Sequence, residues 1–245
     1  MSNNVYVDNR LEFKAGAEVT PNVRGNMSQE KMSAVDWFDG VTLDVTNDYV
    51  QTLGGTSDAG ALTAGGLCGV TLTTGTGDNE VSFLATALTF DISQAPIIEA
   101  KINLVDVSGT FVYFGFSDAT SETTPAATID ADGGTLTAAA TNAVGFVIDA
   151  DLGSSSIWSA SVNTGAAVQS VDSGTDWADN ASYTLRIALD TSGNARLYIN
   201  GTGVGYIASA VADVPLCAII NYGTRDNDGS NVVYARYLKK WQDVA

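Results

Sequence analysis

Histidine is absent from all 245 residues, which removes the commonest general base, the base of the Ser-His-Asp triad and the commonest metal ligand together. Proline is held to 4 residues, cysteine to 2 and charged residues to 16% of the chain. No apolar run approaches the roughly 20 residues that a membrane-spanning helix needs, so a membrane partner is not expected. Basic residues are also scarce: 11 Lys and Arg stand against 28 Asp and Glu, a formal net charge of -17. A surface of that sign repels a phosphate backbone, which disfavours nucleic acid as a partner. The N-terminal MSNNVYVDNR has neither the basic nor the apolar segment of a signal peptide, and synthesis and folding in a cytoplasm are expected. Cys68 and Cys217 lie far apart in apolar, strand-like runs, GGLCGVTLT and VPLCAII, without a CxxC pattern. Buried free thiols are the expectation for both.

What is present is an apolar content of 45% and 25 glycines, enough to fill a core without staples. Charge divides the chain in three. Residues 1–31 carry four basic and four acidic side chains, and residues 225–245 carry four basic and three acidic. Between them only Lys101, Arg186 and Arg196 are basic, against 21 acidic residues. The first 31 residues show no sustained period and read as an arm, with one short alternating stretch at Val5, Tyr6 and Val7. Val5 to Val7 and Leu11 to Phe13 read equally well as edge strands of the main domain. Residues 32–245 form that domain, and its text is short β-branched and aromatic runs separated by Gly, Asn, Asp, Ser and Thr.

The clearest strands are 97–107, 111–117, 144–149, 156–162, 183–190, 195–200, 203–208 and 232–238. In IIEAKINL, Ile98, Ala100, Ile102 and Leu104 fall on one face and Glu99, Lys101 and Asn103 on the other, as in a sheet with one wet side. The turns Asp190-Thr-Ser-Gly-Asn194 and Asn200-Gly201 make 183–208 a three-stranded meander. Segment 119–142 is too long and polar for an ordinary hairpin loop and is the first candidate for an interaction surface.

The meander YTLRIALDTSGNARLYINGTGVG, with Trp37-Phe38-Asp39, IIEAKI, FVYFGFSD and VGFVID upstream, resembles the concanavalin A-like (laminin G-like, lectin/glucanase) jelly rolls. The resemblance runs over residues 36–241. It implies an all-β, antiparallel two-sheet jelly-roll sandwich carrying an N-terminal extended arm. The acidic, Ser/Thr/Gly/Ala-rich text is similar to the version of this domain in virion proteins of tailed bacteriophages.

Glycosidases of this fold set carboxylates on one strand as Glu-x-Asp-x-x-Glu, so that acid and nucleophile share a face. No such run occurs, and Glu80, Glu99 and Glu122, of only six glutamates, have no second carboxylate at strand spacing. Two acidic turns, Asp130-Ala-Asp132-Gly-Gly and Asp226-Asn-Asp228-Gly, offer oxygens for a hard cation. Alignment to a calcium loop puts Ala139 or Ala235 where a bidentate Glu is required. Asp226 and Asp228 remain the weak candidates for calcium, and no other cofactor is expected.

These readings lead to the expectation of a non-enzymatic virion protein, a capsid decoration or cement protein that is a homo-oligomer and resides in the virion. It would dock on the major capsid protein or other virion subunits through Val5, Tyr6, Val7, Leu11 and Phe13. The alternative is a carbohydrate-binding module of a phage fibre or cell-surface protein. Trp158 and Trp177 would then be its sugar platform, with Tyr206 and Tyr222 the next aromatics to inspect.

Overall fold

The computed structural model of the protein describes residues 4–7, 10–13, 31–38, 43–44, 48–55, 57–62, 69–106, 108–123, 128–225 and 232–243. Two large antiparallel sheets face each other. The seven-stranded sheet has the order Gln169–Asp176 (β14), Ser156–Val162 (β13), Ala143–Asp149 (β12), Thr110–Ser117 (β9), Cys217–Thr224 (β18), Val81–Thr86 (β7) and Tyr49–Leu53 (β4). The eight-stranded sheet runs Thr202–Ile207 (β17), Ala195–Ile199 (β16), Ala181–Leu189 (β15), Ile97–Leu104 (β8), Val232–Asp243 (β19), Val70–Thr73 (β6) and Asp58–Leu62 (β5), with Lys31–Asp36 (β3) paired to the C-terminal half of β19. This is the all-β, two-sheet jelly-roll sandwich that the resemblance implied.

Period-2 patterning positions the inner faces. Ile98, Ile102 and Leu104 of β8, with Leu185, Ile187 and Leu189 of β15, meet Val112, Phe114 and Phe116 of β9 and Val144, Phe146 and Ile148 of β12 in one buried core. Phe116 also takes Phe90 edge-on, with centroids 5.2 Å apart. The meander 183–208 forms as read. Asp190 Oδ1 accepts from the amides of Ser192 and Asn194, while Gly193 turns at φ +73°, where a Cβ would overlap the carbonyl oxygen of Val211.

Asn4–Val7 (β1) and Arg10–Phe13 (β2) pair antiparallel with each other, Val5 opposite Glu12 and Tyr6 opposite Leu11, outside both large sheets. Val5, Tyr6, Val7, Leu11 and Phe13, the residues expected to dock, therefore lie on a two-stranded hairpin. Among the described residues the only helical turns are two three-residue 3₁₀ segments, at Ile92–Gln94 and Ala150–Leu152.

Cys217 is a buried free thiol whose Sγ lies 3.2 Å from the Ser117 carbonyl oxygen; Cys68 lies outside the described residues. Burial pushes the Cys217 thiol up to about 12, so the nucleophilic thiolate is scarce at mildly alkaline pH. In a Cys68→Ser variant, Ellman's reagent should leave the folded protein unmodified and titrate one thiol only in denaturant. Rapid labelling of the folded protein would contradict this placement.

Candidate functional site

The two sheets differ on their outward faces. The strands β7, β9, β12 and β18 are buried at every position, so the centre of the seven-stranded sheet is covered on both sides, while the edge strand β14 is largely exposed. Its second apolar cluster joins Phe83, Phe111, Tyr113, Val147, Ala160 and Ile219 of the sheet to Ile129 and Ala140 of a covering strap. The strap contains the antiparallel hairpin Ile129–Asp132 (β10) and Thr135–Ala138 (β11). Segment 119–142, expected as an interaction surface, thus packs in large part on its own sheet. Gly115 and Gly145 are register partners, and Tyr113 fills the space that their missing side chains leave: its ring atoms lie 2.8 Å from where a Cβ at Gly145 would stand. The Tyr113 hydroxyl donates to the Phe116 carbonyl at 2.8 Å.

Buried polar groups fasten the strap. Glu122 accepts from the Thr128 amide at 2.9 Å, from the Thr128 hydroxyl at 3.1 Å and from Asn221 Nδ2 at 2.6 Å. Arg225, at the end of β18, donates to Asp149 through Nη2 at 2.6 Å and Nε at 3.1 Å, to Asp130 Oδ2 at 3.0 Å, to the Ala131 carbonyl at 3.1 Å and, through Nη1, to Asn79 Oδ1 at 3.0 Å. Its guanidinium lies 5.1 Å from the Phe111 ring centroid. Burial pushes the Asp149 carboxyl above its usual range, against the pull of Arg225. Burial likewise opposes the Arg225 charge, but the bonds from Asp149 and Asp130 outweigh it and raise its pKa. Asp130, read as a turn residue in an acidic loop, is committed to this ion cluster, and Asp226 and Asp228 lie outside the described residues.

Of the expected sugar platform, Trp158 is partly buried against the outer cluster and Trp177 partly buried against the inner core. Tyr222 is fully buried, with its hydroxyl pKa raised by desolvation. Tyr206 alone of the four stands out, 55% exposed.

Tyr206 belongs to the open outer face of the eight-stranded sheet. Register places it beside Arg196, and places Tyr198 beside Arg186 on one side and Gly203 on the other. The Arg186 guanidinium sits 4.5 Å from the Tyr198 ring centroid and that of Arg196 5.8 Å from Tyr206. Arg196, Leu197, Tyr198, Gly203, Gly205 and Tyr206 line a shallow groove of about 390 Å³, with no side chain at Gly203 against the Tyr198 ring. Farther along the face, Glu99 accepts from Lys239 Nζ and the Tyr237 hydroxyl, both at 3.0 Å, so it is bonded rather than simply solvated beside Lys101. Sequence reasoning named Tyr206 but missed Tyr198, Arg186 and Arg196 as its neighbours; the alternation in YTLRIALD and ARLYIN held that signal.

No protein-family model and no curated protein matches the sequence. Among solved structures, the chain is similar to a glycoside hydrolase family 16 endo-glucanase from Bacteroides ovatus, at 12% identity over 84% of this chain and 99% of that one, with a TM-score of 0.60. It is similar also to the β-glucanase of Bacillus licheniformis, at 11% identity, 85% and 97% coverage and TM-score 0.59. A third is the laminarinase catalytic domain from Thermotoga maritima, at 10% identity, 89% and 100% coverage and TM-score 0.59. At these identities the likeness establishes the concanavalin A-like jelly-roll fold. It also corrects the expectation of a non-enzymatic virion decoration protein: these neighbours are glycan hydrolases, and they give the virion, bacteriophage and capsid readings no support.

Removing one partner of a buried ion cluster strands the others, at a cost of about 3–5 kcal/mol. Arg225→Ala should lower unfolding free energy by that amount in urea titrations. A change no larger than that of an exposed pair would show that Arg225 does not hold the strap.

Proposed function

We propose that the protein is carbohydrate-active and engages a polysaccharide along the groove at the β16–β17 edge. The observation that carries this reading is the exposed Tyr206 beside Tyr198, Arg186 and Arg196, with no side chain at Gly203 against the Tyr198 ring. A tyrosine ring offers a pyranose a flat apolar face, and neighbouring guanidinium N–H groups donate to hydroxyls. The glucanases and laminarinase of this fold support the ligand class. On the seven-stranded sheet, the outer face of the central strands is occupied by the strap. Laminarin and lichenan are the first probes, and Tyr206→Ala should weaken retention in affinity electrophoresis about tenfold without moving the thermal melt. Unchanged retention would remove Tyr206 from the contact.

A further inference from the structure

We infer that the polysaccharide held on this face is anionic, a uronate- or sulfate-bearing chain; the inference rests on the glycan reading above and specifies its substrate class. Residues 32–224 contain three basic side chains, Lys101, Arg186 and Arg196, against 21 acidic ones. All three stand on the outward face of the same sheet, on the adjacent strands β8, β15 and β16. Lys239 adds a fourth charge to that face, one strand beyond β8. In the part of the face formed by β8, β15, β16 and β17, Glu99 is the one carboxylate among the described residues, and Lys239 and Tyr237 already occupy it. Among the described residues, no carboxylate lies within salt-bridge distance of Lys101, Arg186 or Arg196.

A molecule of charge -17 has no general reason to gather its few cations, unpaired, in one place. The two arginines are also held ready. Each guanidinium lies against a tyrosine ring, which fixes its plane and leaves its N–H edges for an acceptor. Neighbouring strands stand about 4.8 Å apart, comparable with the advance of one pyranose along a chain, so charges on successive strands can meet charges on successive sugars. A phosphate polymer fits less well, because its denser charge brings it under the repulsion of the acidic remainder.

The test measures binding of the full chain to polygalacturonate, to neutral laminarin and to duplex DNA across a salt series. Polygalacturonate is expected to bind more tightly than laminarin and to weaken steadily with salt. Arg186→Gln and Arg196→Gln should each lower its affinity about tenfold and flatten its dependence on salt. Laminarin binding without polygalacturonate binding would overturn the anionic class and leave the glycan reading standing. Binding to neither would overturn both. DNA binding as tight as polygalacturonate would show a general polyanion surface and overturn the inference. The salt series on the unmodified protein decides the point even if a variant misfolds.

Discussion

A sheet that is apolar on both faces has to be covered on both faces, and that constraint organises this molecule. Strands β7, β9, β12 and β18 bury every residue. The eight-stranded sheet covers one side, and the chain covers the other with its own strap from 128 to 140. Apolar contact alone would let the strap slide. The ion cluster of Arg225, Asp149 and Asp130 and the bonds from Glu122 to Thr128 and Asn221 give it one position. Each buried charge there is compensated, as burial requires.

Closing one outer face leaves the other to meet partners. The eight-stranded sheet alternates apolar and polar residues along β8, β15 and β16, so its outward side needs no cover. It is also where Lys101, Arg186 and Arg196 come together. The acidic residues of the long middle segment are found instead in turns, such as Asp190, and in the ion cluster that fastens the strap, such as Asp130 and Asp149. The two sheets of the sandwich thus differ: one is strapped over its central strands, the other displays a charged aromatic surface.

Much of the fold was legible because alternation is a local property. IIEAKINL announces a half-buried strand by itself, and the Asp190 and Asn200 turns fix the meander around it. The doubly buried sheet was legible in part: FVYFGF is apolar at consecutive positions, which is how a strand covered on both sides reads. What covers it was not, since the residues that fasten the strap, Arg225 and Asn221, lie 95 and 99 positions from Asp130 and Glu122. The same limit hid the groove. Tyr206 is unremarkable until register sets it beside Arg196, and Trp158 and Trp177 look like sugar ligands until packing assigns them to separate clusters. Function was the least legible, because a jelly roll specifies fold more than task.

The central claim is that glycan contact falls on the open face and not on the strapped one. Amide chemical-shift mapping by NMR during titration with an oligosaccharide tests it most directly. The account predicts shifts concentrated on β15, β16 and β17 around Arg186, Tyr198 and Tyr206. Shifts concentrated on β9, β12 and β18, or along the strap from 128 to 140, would contradict it.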